Sequence, residues 1–298
     1  MTKSAKKALV IANHGRHYLV DHDGKTYLSV TRGKKRNVAV GDHVMISVTA
    51  NDQAVIESIE ERRNLLYRSD QLKSKLMAAN VSRLFIVVAT EPGFSDELIS
   101  RALVAAETAG IDPHVILNKK DVVELLPFAR ERLLPYKSLG YPVHEISAAE
   151  EPEEACEILM PLVKDQVTIL LGQSGMGKSS IINILIPGIN IRTREISTAL
   201  NSGKHTTTLT SMYRVDENSA LVDSPGFHEF GLYHLDRAML AQAFREFLPY
   251  LGRCRFHNCA HLVEPGCAIL EAVEKGHISP MRQYLYAELF EELSQKHY

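Results

Sequence analysis

The chain has 298 residues, 45% hydrophobic and 23% charged, with a formal net charge of −2. At ~150 residues per domain this length fits two domains, or three if some are small, and the composition excludes a largely disordered chain and a coiled coil. The charge is uneven: residues 1–83 hold 15 Lys and Arg against 8 Asp and Glu, or +7, and the remainder holds 19 against 28, or −9. A basic N-terminal part on an acidic body points to a nucleic-acid or phosphate-rich partner, or else to a solvated basic face.

The N-terminus is basic, and the apolar run behind it, residues 8–12, is too short for a signal-peptide core. No stretch approaches the ~18 apolar residues of a membrane span, so a cytoplasmic location without membrane contact is the expectation. Residues 8–61 read as five short strands (8–13, 18–21, 26–30, 42–48 and 54–60). Turn signals at Asp23-Gly24, Arg32-Gly33, Gly41-Asp42 and Asn51-Asp52 separate them. Short strands without a helical period predict a small closed β-barrel of the oligonucleotide-binding type. The basic loop Thr31-Arg32-Gly33-Lys34-Lys35-Arg36-Asn37 is its candidate phosphate contact, or a plain polar loop. Residues 62–83, with Arg62, Arg63, Arg68, Lys73, Lys75 and Arg83, read as a basic linker.

From Leu84 the pattern changes to apolar strands alternating with helices. Strands are predicted over 84–89, 115–117, 143–146, 167–171, 211–215 and 220–222. Helices are predicted over 96–109, 122–136 and 153–163, with another opening at 179. Ser95 and Gly110 are the cap and the stop of the first helix. Such alternation predicts a parallel sheet with helices on both faces. Beyond about Tyr233 the chain reads as helical over 236–248 and 279–296, interrupted by Cys and His residues.

The strongest motif is Gly172-Gln173-Ser174-Gly175-Met176-Gly177-Lys178-Ser179, between an apolar strand and a helix and followed by Ser180. This is the context of a phosphate loop. Glycines let backbone N–H groups point at phosphate oxygens, Lys178 neutralises the β- and γ-phosphates, and the Ser179 hydroxyl ligates Mg²⁺. The second is Asn118-Lys119-Lys120-Asp121 at a predicted strand end, where parallel sheets bind ligands. Asp121 can accept from N1–H and the 2-amino group of guanine, which adenine lacks. Lys119 can lie along the purine face, and Asn118 can tie the loop to its neighbours. A strand-to-helix turn with a capping Asp is the plainer reading. Ser147-Ala148 ends a further strand, and the Ala148 N–H could meet guanine O6. The third motif is Asp223-Ser224-Pro225-Gly226, in which Asp223 could hold Mg²⁺ through water and the Gly226 N–H could meet the γ-phosphate. The fourth is Lys204-His205-Thr206-Thr207-Thr208, where one threonine completes the Mg²⁺ shell. Thr207 and Thr208 are the candidates, and Thr208 is grouped with Lys178 and His205 as the catalytic set.

Together these are the parts of a P-loop GTPase, in an unusual order. Base recognition precedes the phosphate loop, which precedes the switch elements. An α/β GTPase domain with a circularly permuted chain order follows, tolerable because a sheet is defined by contacts in space. After the Asp-x-x-Gly element, where many GTPases carry a glutamine that orients water, stands Phe227. His205 is the candidate to position that water, or alternatively to orient the switch loop or contact RNA.

The last motif is Cys254-x4-Cys259-x-His261-x5-Cys267. Three thiolates and an imidazole suit one structural, tetrahedral Zn²⁺. His257 is an adjacent alternative ligand, and Cys156 reads as a core residue.

These residues together resemble the small-ribosomal-subunit-dependent GTPases of the RsgA/YjeQ type. The resemblance covers essentially the whole chain. It is most specific in the motif order, in Gly203-Lys204-His205-Thr206-Thr207-Thr208, in Asp223-Ser224-Pro225-Gly226-Phe227, and in the Cys/His quartet with Glu264-Pro265 before its last cysteine. None of these motifs departs from the family pattern. The resemblance implies an N-terminal oligonucleotide-binding barrel (1–66), the basic linker (67–83), a permuted GTPase domain (84–232) and a small helical zinc-binding domain (233–298). It implies Mg²⁺ with GTP, and GTP, GDP, the small ribosomal subunit and its rRNA as partners of a monomeric protein. The implied role is GTP hydrolysis on the particle late in small-subunit maturation, stimulated by the subunit. Two rivals stand beside it: a permuted GTPase acting on the large subunit, and an RNA-binding protein that uses GTP only as a structural ligand.

Overall fold

The structure is a computed structural model and describes residues 5–33, 37–69, 74–189, 210–224, 232 and 234–294. Strands β1 (Lys6–His14), β2 (His17–His22), β3 (Lys25–Thr31), β4 (His43–Ala50) and β5 (Gln53–Ile59) largely alternate buried with exposed positions, the pattern of a sheet with one face inward. Val10, Tyr18, Val20, Tyr27, Val44, Ile46 and Ile56 fill the interior. β1 pairs with β2 and β2 with β3; β3 runs parallel to β5, β5 pairs with β4, and β4 returns to β1. The ring closes as the five-stranded barrel expected from the strand pattern. Lys34, Lys35 and Arg36 lie outside the described residues.

Within the stretch expected to be a basic linker (67–83), the described residues 67–69 and 74–79 are strands. β6 (Leu65–Ser69) and β7 (Ser74–Ala79) pair antiparallel, and Val40 of the barrel bridges Ala78. Leu66, Met77, Ala78 and Ala79 are buried. Cations interleaved with these apolar positions made the hairpin look like solvated chain. Arg62 ties its base to the barrel through Asp42 at 2.7 Å.

The second unit contributes six strands, β8 (Arg83–Ala89), β9 (Asp112–Asn118), β10 (Val143–Glu145), β11 (Val167–Leu171), β12 (Ser211–Arg214) and β13 (Ala220–Asp223), in the spatial order β10-β9-β8-β11-β13-β12, and β12 pairs with β1 at Ala12 and Ser211, so that the hydrogen-bonded sheet runs on into the barrel. Five strands are parallel. β12 runs antiparallel to β13, a departure from the all-parallel expectation, because only a short turn joins the two. β8 is buried almost throughout, as a central strand covered on both faces must be. α1 (Asp96–Ala109), α2 (Leu126–Ser138), α3 (Pro152–Val163) and α4 (Lys178–Leu185) connect the strands. α1 starts and stops as predicted: Ser95 accepts the Leu98 N–H, and Gly110 ends the helix at φ 64°. α2 begins four residues later than predicted. Residues 122–125 form a hydrogen-bonded turn, and Pro127 suits the first helical turn.

The third unit holds α5 (Arg237–Gln242), a 3₁₀ turn (Arg245–Phe247), α6 (Ala268–Glu274) and α7 (Pro280–Ser294). The single helix predicted over 236–248 is interrupted because Phe244 takes an extended conformation (φ −94°, ψ 102°), and both Phe244 and Phe247 are fully buried. These helices share one hydrophobic core with the sheet. Arg282, 1% exposed, donates to Glu246 Oε1 at 2.5 Å and to Ser100 Oγ of α1 at 2.6 Å. Its guanidinium lies 4.5 Å from the Phe244 ring centroid. Among the described residues no helix is long and apolar enough to cross a membrane.

Candidate nucleotide and metal sites

Strand register gathers the motifs. Ala89 is opposite Asn118, Leu117 opposite Glu145, Leu171 opposite Ile86 and Leu170 opposite Asp223. The loops that follow these parallel strands therefore leave one edge of the sheet, where ligands of such sheets bind.

β11 runs into Gly172 and the loop closes on α4 at Lys178. Two glycines are required by close approach. A Cβ at Gly172 would lie 2.4 Å from the Val87 carbonyl oxygen, and one at Gly177 (φ +92°) would lie 2.1 Å from Asn118 Nδ2. Ser174 and Gly175 are exposed, Met176 is buried beneath them, and Ser179 and Ser180 stand half-buried in the first turn of α4. The first-turn N–H groups of a helix lack intrahelical acceptors, and they aim at the loop. Lys178 Nζ donates to the Gly172 and Gln173 carbonyls at 2.6 and 3.0 Å. Burial lowers its pKa from the ordinary value, and Asp223 offsets this only in part. Burial likewise raises the Asp223 carboxyl, with Lys178 opposing. A half-buried cation and a half-buried anion, whose charged forms burial disfavours, suit charges that arrive with a ligand.

Asn118 is 3% exposed and joins three loops. Its Nδ2 donates to the Met176 carbonyl at 2.9 Å, and its Oδ1 accepts the Ala148 N–H at 2.9 Å. The Ala148 N–H, expected to face guanine O6, is thus engaged by Asn118. Ser147 Oγ donates to Asp121 Oδ1 and orients the carboxylate. Asp121 is exposed. Lys120 is turned away, paired with Glu151 and Glu154 at 2.8 and 2.6 Å. His205, Thr207, Thr208 and Gly226 lie outside the described residues. Sequence reading missed Thr90, which follows β8 at the same edge and hydrogen-bonds the base loop. Its only sequence signal was its place at the end of a parallel strand.

The second cluster lies between the 3₁₀ turn and α6. Ligand atoms of Cys254, Cys259, His261 and Cys267 all fall within 4.8 Å of one another. Cys254 Sγ is 3.9 Å from Cys267 Sγ, and His261 Nδ1 is 3.5 Å from both sulfurs. His257 is exposed and stands outside the group, and Cys156 sits half-buried on α3. The loop is shaped for the cluster. His261 takes φ 63°, and the Glu264 carboxylate accepts the N–H groups of Ala260, Leu262 and Val263 at 2.8–3.1 Å. Burial alone would raise Glu264, but these donors prevail and hold it at about 2. Burial lowers the pKa of the His261 imidazole, with Glu264 opposing, and pushes the Cys259 thiol up to about 12. Thiolates gathered here need a cation, so the cluster can hold a metal ion.

A phosphate loop on the central strand, a base loop earlier in the chain and an Asp-ended strand after it define a P-loop GTPase with circularly permuted motif order. The chain belongs to the RsgA GTPase family, whose model matches residues 59–233, and it is accordingly a GTP hydrolase. Over 288 residues it is 58% identical to the small ribosomal subunit biogenesis GTPase RsgA of Burkholderia pseudomallei strain K96243, covering 96% of this chain and 92% of that protein. The protein of the same name from Paraburkholderia xenovorans LB400 is 56% identical over 294 residues, with 96% and 93% covered. Among solved structures, YjeQ from Thermotoga maritima superposes with a TM-score of 0.74 at 29% identity, over 98% of this chain and 99% of that one. YloQ, a circularly permuted GTPase, shares the fold at 23% identity with a TM-score of 0.69, over 98% and 96% of the two chains.

Proposed function

We propose that this protein binds the small ribosomal subunit through its rRNA and hydrolyses GTP there, late in assembly of that particle. The observation that carries the reading is the near full-length similarity to proteins named for small-subunit biogenesis, at 55–58% identity. In this reading residues 1–66 are the RNA-binding barrel, 84–232 the GTPase and 233–298 the zinc-binding part, with the 65–79 hairpin bracing the first two. The protein works as a cytoplasmic monomer.

Residues 172–180 hold the phosphates, with Lys178 on the β- and γ-oxygens and Ser179 toward Mg²⁺. Asp223 and Thr207 or Thr208 complete the Mg²⁺ shell, and the Gly226 N–H reads the γ-phosphate. Bound Mg²⁺ supplies charge neutralisation between those phosphates. Asn118, Lys119 and Asp121 read guanine, and Ser147 and Ala148 brace them. The cysteine–histidine cluster holds one structural Zn²⁺. A tetrahedral site with Zn–S of about 2.3 Å and Zn–N of about 2.0 Å has edges of roughly 3.8 and 3.5 Å, close to the 3.9 and 3.5 Å between these donors.

Gly177→Ala tests the phosphate loop. The methyl group would strike Asn118 in a backbone conformation that costs an L-residue roughly 1–2 kcal/mol. Displacing the Asn118 hydrogen bonds adds about 1 kcal/mol. Where the loop relaxes to escape these costs, nucleotide binding must restore it, so affinity should fall by up to about 30- to 150-fold, read by displacement of a fluorescent GDP, and any part of the cost that the loop does not escape should appear as a lower unfolding temperature of the apo protein.

Turnover tests the whole reading. GTP hydrolysis should be slow for the free protein, accelerated by purified small subunits and unaffected by large subunits. Acceleration by large subunits would favour the rival large-subunit role, and no acceleration by either would favour GTP as a structural ligand. His205→Ala should reduce the stimulated rate by about 10²–10⁴-fold, the range for a proton-transfer group, while leaving GTP affinity within a few-fold. Unchanged stimulated turnover would remove His205 from the chemistry.

A further inference from the structure

We infer that Thr90 is a positioning residue for base recognition, one that holds the backbone on both sides of Lys119; the inference rests on reading residues 118–121 as the guanine loop. Lys119 has φ +62°, a left-handed conformation that costs a residue with a Cβ free energy unless its surroundings impose it. Thr90 imposes it. Its N–H donates to the Asn118 carbonyl at 3.3 Å, and its Oγ donates to the Lys119 carbonyl at 2.9 Å. Those two carbonyls belong to the peptide planes before and after Lys119. Their relative orientation is the φ and ψ of Lys119, so one side chain and its own N–H fix the strained residue from both sides.

The surroundings make the contact consequential. Thr90 is 8% exposed and sits at the end of β8, between the base loop and the phosphate loop. The Lys119 carbonyl also accepts the Val122 N–H at 3.1 Å, closing the turn that carries Asp121. The Lys120 N–H is fastened to the Ile146 carbonyl at 3.0 Å. The Lys120 N–H lies in the same plane as the Lys119 carbonyl, so losing the Thr90 hydroxyl would leave that plane held by the turn and by Ile146, with its tie to the end of β8 gone. Lys119 would then lose its set over the purine, and Asp121, two residues on, its aim at N1–H and the 2-amino group.

The test compares GDP, IDP and ADP affinities, in Mg²⁺ buffer, for the unmodified chain, Thr90→Val and Thr90→Ser. IDP lacks the 2-amino group, so the GDP:IDP ratio reports the alignment of Asp121. Thr90→Val keeps the shape and the backbone N–H and removes only the hydroxyl. It should weaken GDP by about 3- to 10-fold, the weight of one neutral hydrogen bond, and shrink the GDP:IDP ratio. Thr90→Ser should restore both to within about twofold. Thermal unfolding is recorded for each protein, and Thr90→Ala replaces Thr90→Val if the latter fails to fold. An unchanged GDP:IDP ratio in Thr90→Val, or no restoration by Ser, would overturn the inference while leaving the guanine loop in place. Equal GDP and ADP affinity in the unmodified chain would overturn the reading of the loop itself, and the role of Thr90 with it.

Discussion

Cys259→Ser should leave the purified protein with well below one zinc per chain and loosen the segment from Cys254 to α6, while GTP affinity stays within about twofold. Structural zinc in small modules carries about 10–16 kcal/mol of apparent binding energy, the largest single term in this part of the molecule. Its loss is local because the remaining ties of the segment are a few hydrogen bonds, those of Glu264 within the loop and those of Gln283 and Tyr286 of α7 to the His261 and Ala260 carbonyls. Residues 252–258 are mostly exposed, and the fully buried apolar residues, Cys267, Ile269 and Ala272, lie at its end, with Ala260 and Leu262 only partly buried against the same core. The flanking helices have their own anchors. Phe244, Phe247, Tyr286 and Leu289 belong to the large core, and Arg282 is bonded to Glu246 and to Ser100 of α1. Hydrogen exchange should therefore show protection lost over 254–274 and largely kept in α7. Collapse of protection in α1 as well would mean that the metal, and not the Arg282 network, docks the C-terminal part. A full complement of zinc in Cys259→Ser would remove that cysteine from the ligand set.

Asp121→Asn should weaken GTP and GDP by about 2–4 kcal/mol, or roughly 30- to 1,000-fold, as expected for loss of charge-assisted hydrogen bonds. Ser147 already donates to Asp121 Oδ1. An amide in this place must turn its oxygen toward Ser147 or toward the base. In the first case its NH₂ opposes guanine N1–H and the 2-amino group; in the second the Ser147 hydroxyl can turn to accept from the NH₂, but the base then meets one neutral amide oxygen in place of a charged carboxylate. Xanthine nucleotides, whose C2 carbonyl accepts where guanine donates, should lose less or gain. Competition by ATP as strong as by GTP in the unmodified protein would refute guanine recognition here.

The chain by itself determined whatever depends on neighbouring residues. The phosphate loop needs its glycines, lysine and serine in one stretch. Three cysteines and a histidine within fourteen positions already mark a metal loop, and the permuted order is a fact of sequence. The first helix of the sheet unit was legible to the residue because its cap and its stop are local chemistry. Tertiary structure decided what rests on residues far apart. The barrel closes because β3 lies parallel to β5 and β4 returns to β1, pairings that no turn signal encodes. The hairpin over 65–79 was hidden because its stability comes from burial against other elements, while its composition is that of a solvated linker. The engagement of the Ala148 N–H by Asn118 joins residues thirty apart, and the Arg282–Ser100 contact joins residues 182 apart. The hold of Thr90 on Lys119 spans 29 positions and leaves no mark in either segment. Such contacts arise only when strand register brings chain ends to one edge of a sheet, so the sequence determined which groups are present and the fold decided which of them meet.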